Sequence, residues 1–349
     1  MLYYLCLSAC VVFAILFAYH MASMERKHHP RRLERAIKRF DATLQKCMEA
    51  NDYRLPEKAI KRMKNVIGLE AFYYACQKLD ESDRRRFVTE NFKPFRRLQN
   101  LEHNPTIHAF FAYMLFKLNI GSSLAIYTPL LFSFLKEPCI YARENALKNI
   151  YCIGDSEPVV NALTDLSADG ISHNEKLVYD GLLTFTGDKE ELADRLMQHY
   201  EELLECYRNS LINYLGYYGI DRFDDYLIER TRVEGASVDV ICCIIRKLSK
   251  TVSDRNLRFL EEIISRFRVG DVWEPVAVAV TGLGKYQNEE ARHLLIEELT
   301  SRNWFVRKNA AAALVSVGIS ESDIAEIESR NDKYAMEAIR FEMGRRKNA

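Results

Sequence analysis

Residues 306–318 read VRKNAAAALVSVG, and they have a gapless counterpart 164 positions earlier at residues 142–154, ARENALKNIYCIG. Arg307 falls on Arg143, Asn309 on Asn145 and Ala310 on Ala146. Further along, Leu314 falls on Ile150, Val317 on Ile153 and Gly318 on Gly154. A helix of small and apolar residues, closed by glycine and copied within one chain, implies a stacked helical array. One such unit cannot bury its apolar face alone.

Working outward from this pair, the period becomes visible. Glycines that end helical runs stand at Gly121, Gly154, Gly187, Gly219, Gly284 and Gly318, at intervals of 33, 33, 32, 65 and 34. The interval of 65 is two units, with Thr251-Val252 where a glycine would stand. A period near 33 suits two helices of about a dozen residues and two turns. Each glycine is expected to supply the left-handed residue that ends a helix. The spacing predicts second helices over residues 104–119, 137–153, 174–186, 204–218, 238–249, 271–283, 303–317 and 333–345, with partner helices such as 254–266 and 288–300. Only 14 Gly and 8 Pro interrupt 349 residues, which suits helices joined by short turns. Before residue 104 the apolar positions Ile60, Met63, Ile67, Phe72, Ala75 and Leu79 keep a helical spacing and predict helices over 57–78 and 83–98. These do not align with the repeat and read as a degenerate first copy or a cap. The organisation expected is therefore 1–22, an anchor; 23–103, a basic linker and N-terminal helices; and 104–349, the repeats.

Asn303-Trp304-Phe305-Val306-Arg307 followed by AAAAL resembles the HEAT-repeat family. So does Glu137-Pro138 followed by Ala142-Arg143, Ala146-Leu147 and Ile153-Gly154-Asp155. Residues 204–218, containing YRNSLINYLGYYG up to Gly219, and 271–283 match in part; the units around Leu177 and Ile244 match in apolar spacing only. The tetratricopeptide family has a similar period, but its signature is not in register here. The resemblance implies an all-α chain folded as a right-handed α-solenoid of helix pairs. It also implies that Arg143, Arg208 and Arg307 brace inter-repeat turns, so that these arginines, with Ala146, Ala310, Gly154 and Gly318, are structural. Trp273 and Trp304 stand at turns, where a large ring can cap a core or bind a partner.

Leu2 to Met21, LYYLCLSACVVFAILFAYHM, contains no charged side chain. As a helix it is about 30 Å long, enough to cross a bilayer. Tyr3, Tyr4, Tyr19 and His20 suit the interfaces. A cleaved signal peptide lacks its basic start and cleavage site here. Leu7-Ser8-Ala9-Cys10 resembles a lipobox, but the apolar run continues past Cys10. An uncleaved single span is expected. Arg26, Lys27, Arg31, Arg32, Arg35, Lys38 and Arg39 all follow it, so the positive-inside tendency places the N-terminus outside and the bulk of the chain in the cytoplasm. Nine cysteines with no CxxC framework, Cys242 and Cys243 adjacent, suit the same reducing compartment. After Pro30 the positions Leu33, Ile37, Phe40, Leu44 and Met48 make an amphipathic helix with basic residues between them. It reads as a first helix of the array, as a helix against anionic headgroups, or as both.

The chain carries 49 Lys+Arg and 49 Asp+Glu, which argues against a general nucleic-acid binder. The charge is uneven. Residues 25–64 hold 13 basic and 6 acidic residues, and residues 188–205 hold 7 acidic and 2 basic. The acidic run offers either a solvated face or a hold for a basic partner segment. No His-Glu-x-x-His and no glycine-rich phosphate loop occurs. His103 and His108 flank Pro105 and read as a loop; His28-His29 reads as a hydrated joint. Glu190-Glu191 and Glu201-Glu202 read as solvated helix faces. No catalytic, cofactor or metal residue is assigned. The function expected is a membrane-anchored cytosolic scaffold that binds a protein partner, itself membrane-associated, through the concave face of its second helices. The alternatives are an enzyme or enzyme subunit on a HEAT-like solenoid, of the nucleic-acid-repair or cofactor-lyase kind, or an accessory subunit of a membrane glycosyltransferase.

Overall fold

The structure is a computed structural model that describes residues 30–101 and 104–347. The apolar run at Leu2–Met21, Arg26, Lys27, His28, His29 and His103 lie outside these residues. The described chain is all-α, with its helices packed in a repeat-like manner compatible with an α-solenoid, and it has no strand. Among the described residues no helix is long and apolar enough to cross a membrane. The chain forms two compact units, one reaching Leu166 and including Thr184–Asp188, the other made of Ser167–Leu183 and the residues from Lys189 onward.

The first unit holds α1 (residues 30–49), α2 (Glu57–Arg62), α3 (Val66–Gln77), α4 (Glu81–Glu90), α5 (Phe92–Leu101), α6 (Pro105–Leu118), α7 (Thr128–Leu135) and α8 (Ile140–Tyr151). A 3₁₀ segment, Gly121–Tyr127, joins α6 to α7, and α9 (Ser156–Ala168) belongs to this unit up to Leu166. Its core is a relay of rings. Phe40 on α1 meets Phe72 on α3 at 5.7 Å, Phe72 meets Phe95 on α5 at 5.6 Å, and Phe95 meets Phe111 on α6 at 5.9 Å. Phe40, Leu44 and Cys47 are buried, so the C-terminal half of α1 is a packed helix of this unit.

Two helices expected here as continuous are each broken. The expected helix 57–78 stops at Arg62 and restarts at Val66, where the Asn65 side chain accepts the Gly68 amide and caps the new start. A Cβ on Gly68 would stand 1.8 Å from the Arg62 carbonyl, so that close approach requires glycine. The expected helix 83–98 divides at Asn91, a buried residue. Its side chain accepts from the Leu55 amide and donates to the carbonyls of Tyr53 and Phe87. Those bonds satisfy a loop that would otherwise bury bare backbone groups.

The second unit holds α10 (Glu175–Leu183), α11 (Lys189–Gln198), α12 (Glu205–Tyr218), α13 (Asp224–Arg232), α14 (Val238–Leu248), α15 (Asp254–Phe267), α16 (Glu274–Leu283), α17 (Glu289–Glu298), α18 (Trp304–Val317), α19 (Glu321–Ser329) and α20 (Lys333–Lys347). From α10 to α20 each even-numbered helix packs on the next even-numbered one, and each odd-numbered helix packs on the even-numbered helix that follows it. Every predicted second helix is present within a few residues of its expected bounds. Sequence chemistry sets the starts. Asn303 accepts from the amides of Phe305 and Val306, Asn288 from Ala291, and Ser320 forms a reciprocal capping box with Asp323.

The expectation that every periodic glycine is left-handed needs correction. Gly154, Gly219 and Gly318 do have positive φ, but after α6 it is Asn119 that caps in the left-handed region, and Gly121, also at positive φ, opens the 3₁₀ segment. Gly187 and Gly284 have no positive φ. A Cβ on Gly187 would lie 2.2 Å from the Gly154 carbonyl, and one on Gly284 would lie 3.1 Å from Ala313. The period is kept there by close packing between neighbouring repeats rather than by helix termination.

Candidate functional site

The recurring arginines donate to carbonyls in the turn between the partner helix and the second helix of their own repeat, rather than in the turns between repeats that the resemblance implies. Arg143 donates to the Glu137 carbonyl at 2.5 Å, and Arg307 donates to the Ser301 carbonyl at 2.6 Å. Arg208 donates to the carbonyls of Tyr200 and Glu201 at 3.0 and 2.6 Å. Ala146 and Ala310 are wholly buried.

The recurring asparagines have a role that the sequence reading left unassigned. Asn145 on α8 donates to the Ala109 carbonyl of α6 at 3.0 Å, and Asn309 on α18 donates to the Ala277 carbonyl of α16 at 3.1 Å. Each stands six residues after its N-cap, Cys139 or Asn303. The same position holds Ser210 after Leu204 and Cys243 after Ser237. Ser210 donates to the Glu175 carbonyl of α10 at 3.0 Å, and the Cys243 thiol to the Asn209 carbonyl of α12 at 3.5 Å. On α8, α12, α14 and α18 this position thus carries a polar rung to the preceding second helix, whereas on α16 it is Ala279, six residues after Trp273.

The odd-numbered helices are tied by a second ladder. Arg222 bonds Glu190 and Asp194 of α11, and Arg232 of α13 bonds Glu262 of α15. Arg268 bonds Glu297 and Glu298 of α17, and Arg292 of α17 bonds Asp323 of α19. Each pair spans about one period in sequence, a spacing of Arg to acid that could have been sought from the sequence alone. Ion pairs, some of them from this ladder, take up part of the acidic run at 188–205. Arg222 holds Glu190 and Asp194, Arg195 pairs with Glu191, and Arg230 with Glu201.

The most buried charges belong to a cluster of α13, α14 and α15. The side chains of Lys247 and Asp224 are 2% and 1% exposed and directly bonded. Lys247 also bonds Asp221 at 2.8 Å, and Arg255 bonds Asp224 at 2.5 Å. Burial pushes the Asp224 carboxyl above its ordinary range, against the opposing pull of Lys247 and Arg255. Cys242 and Cys243 are packed thiols, which burial pushes up to about 11 and about 12. Neither is a nucleophile at neutral pH.

His108 is not in a loop. It lies buried on α6, with Pro105 in that helix's first turn. Its ring meets the Glu137 carboxylate at 2.9 Å and the Gln99 carbonyl at 3.1 Å, and it stacks on Phe134. Among the described residues no three His, Cys, Asp or Glu side chains are grouped to hold a metal ion. Of the expected lipid-facing residues, Arg31, Arg32, Arg35, Lys38 and Arg39 are all exposed on the N-terminal half of α1. A further basic face, Lys93, Arg96 and Arg97, lies exposed on α5 beside a shallow groove of about 390 Å³.

Besides Leu177 on α10 and Tyr217 on α12, the exposed large apolar side chains of the second unit's even-numbered helices lie on α18 and α20. Trp304 on α18 and Tyr334 and Phe341 on α20 are 54%, 63% and 60% exposed. They line a slot of about 340 Å³ together with Arg307, Lys308, Glu337, Ala338 and Glu342. The Lys308 ammonium lies 5.1 Å from the Trp304 ring centre, and the Arg307 guanidinium 5.4 Å from that of Tyr334. Trp273, by contrast, is stacked on Phe305 at 4.7 Å and serves a turn. A larger cavity of about 760 Å³ lies beside Trp273 and Arg268, but Arg268 is committed there to Glu297 and Glu298. Exposed rings grouped around a slot make it the candidate binding feature of this unit, since folded chains rarely leave such rings clustered in water.

No family model matches the chain, and no curated protein matches it.

Proposed function

We propose that the chain is a HEAT-type, right-handed α-solenoid acting as a membrane-anchored scaffold. On this reading Leu2–Met21 spans the bilayer with the N-terminus outside, and the helical repeats face the cytoplasm. The repeats bind a protein partner through the exposed face of their second helices. The observation that carries the reading is the clustering of Trp304, Tyr334 and Phe341 on two adjacent second helices. Supporting it are the turn-bracing arginines and the exposed basic residues of α1, which suit an anionic membrane surface next to a span. An anchor of this kind raises the local concentration of the binding face at the membrane.

Site-specific photo-crosslinking of the full chain in native membranes tests the reading. A photoreactive residue at Tyr217, exposed on α12, or at Tyr334 should give a discrete heavier adduct with one protein. The same group at Asp225, exposed on α13, should not. If Tyr217 and Tyr334 give no more than the Asp225 control, the scaffold reading fails.

A further inference from the structure

The slot between α18 and α20 lies over a position where the repeat's polar rung is absent, as it also is at Ala279 of α16. Asn145, Ser210, Cys243 and Asn309 tie their helices to the preceding second helix from the position six residues after the N-cap. On α20 the Asp332 side chain accepts the amides of Tyr334 and Ala335, which places Ala338 at that same position. Alanine reaches no carbonyl. Near the far end α20 is still fastened to α18, where Arg346 donates to the Val315 carbonyl. The two helices are therefore joined there but leave a gap over Ala338, walled by Trp304, Tyr334 and Phe341.

Two bases, Arg307 and Lys308, and two acids, Glu337 and Glu342, line the gap, but the acids are taken up by bases outside it. Glu337 is paired with Lys333 at 3.7 Å and Glu342 with Arg345 at 3.2 Å. Among the described ion pairs, none takes up Arg307 or Lys308. The slot's uncompensated charge is thus positive, and its complement is a carboxylate. Tyr334 and Phe341 stand seven residues apart on one helix, about 10.5 Å along its axis. One turn of an extended polyproline II strand advances about 9.3 Å. Such a strand also leaves its carbonyls unpaired, and the Trp304 indole N–H and Tyr334 hydroxyl are exposed donors that can meet them. A helical segment would spend those carbonyls internally.

We propose that the α18/α20 slot docks a proline-rich segment of a partner protein, with an acidic residue beside the prolines placed at Lys308. The proposal rests on the scaffold reading and specifies the partner's chemistry. Prolines seat between the rings of Tyr334 and Phe341 against Trp304, over the floor at Ala338. The recognition is cheap in entropy because the strand is already extended before it binds.

The chain has two tryptophans, Trp273 and Trp304, so Trp273→Phe in the full chain, held in detergent micelles, leaves Trp304 as the only indole. Its emission is titrated with short synthetic peptides of Glu-Pro-Pro, Lys-Pro-Pro and Glu-Ala-Ala repeats. The expected result is a saturable change with Glu-Pro-Pro below about 1 mM and clearly weaker binding of the other two. Phe341→Ala should weaken Glu-Pro-Pro binding by about tenfold or more, as for a central aromatic anchor. Lys308→Glu should abolish the preference for Glu-Pro-Pro over Lys-Pro-Pro. Both side chains lie at the surface, and unchanged far-UV circular dichroism checks that these variants fold. Equal or tighter binding of Glu-Ala-Ala overturns the proposal in favour of a helical ligand. A shift of Trp304 emission with protein concentration alone overturns it in favour of a second copy of the chain. Absence of saturation, or binding that survives Phe341→Ala, also overturns it. If the peptides fail while Tyr217 still crosslinks one protein, only the slot assignment falls. If no adduct forms either, the scaffold reading falls with it.

Discussion

In the N-terminal unit, rings pass from helix to helix: Phe40 to Phe72, Phe72 to Phe95, Phe95 to Phe111. In the C-terminal unit, the ties between neighbouring repeats are polar and recur at fixed offsets. Its second helices are joined by Ser210, Cys243 and Asn309, and its partner helices by Arg222, Arg232, Arg268 and Arg292. The changeover falls inside the first unit, where Asn145 of α8 makes the first such rung. Ring packing accepts many geometries and demands no particular register along a helix. A side chain that must reach one carbonyl does demand a register, and so it preserves a period.

Phe72→Ala should be among the most damaging single changes in the ring-packed unit. The ring is wholly buried between Phe40 and Phe95. Its loss should cost about 3–5 kcal/mol. Both tryptophans lie in the other unit. Denaturation followed by far-UV circular dichroism should therefore gain an early phase, while the tryptophan fluorescence midpoint stays in place. An equal shift of the fluorescence midpoint would mean that the two units unfold as one, and the contrast between them would carry no thermodynamic weight.

Asp224→Ala makes the reciprocal test in the polar unit. It strands Lys247, whose side chain is 2% exposed, against one partially exposed acid, Asp221. Removing one partner of a buried pair should cost about 3–5 kcal/mol, here read in the fluorescence midpoint. Replacing both, as Asp224→Leu with Lys247→Met, should recover much of the loss, because no buried charge is then left uncompensated. A single variant with wild-type stability would show that water reaches Lys247 and that the cluster is ornamental.

This contrast explains what could be read from the chain before its structure. The repeats were legible wherever register is enforced. Asn145 and Asn309 aligned because both must reach the preceding helix, and Arg143 and Arg307 because both must reach a turn. The helices of residues 57–101 were misjudged because their breaks depend on long-range contacts. Asn91 ends one helix by bonding a loop some 36 residues away, and Gly68 admits the Arg62 carbonyl. Neither contact leaves a local signal. The slot was hidden for a different reason: Trp304 stands at a turn, where its ring could cap a core or bind a partner, and Tyr334 and Phe341 join it only once α18 and α20 are packed together.

Asn309→Ala tests the rung itself, on a smaller scale. It removes the bond to the Ala277 carbonyl and nothing that is deeply buried. About 1 kcal/mol should be lost from the fluorescence midpoint. Phe305, exposed on the same helix, offers a control, since Phe305→Ala removes a ring contact with Trp273 but no rung. If Asn309→Ala has no effect, register is held by apolar packing, and the recurrence of Asn145 and Asn309 needs another cause.

The smallest effect belongs to the ladder between the odd-numbered helices, and pH separates it from packing. Arg232 grips Glu262 through Nε and Nη2 at 2.8 and 2.5 Å and holds its carboxyl below the ordinary value of 4.5. A carboxyl depressed on folding contributes stability that is complete above its unfolded value. That contribution is lost as pH falls through the lower, folded value. Both side chains are more than a third exposed, so solvent screening should limit the pair to about 0.5 kcal/mol. Arg232→Gln should therefore be less stable than the parent at pH 7, and the gap should close on acidification below about pH 4. It should also narrow in high salt. A gap unchanged by acid and salt would mean that the Arg232 side chain acts through its aliphatic stem against α15. The odd-numbered helices would then be held as the first unit is, by contact rather than by charge.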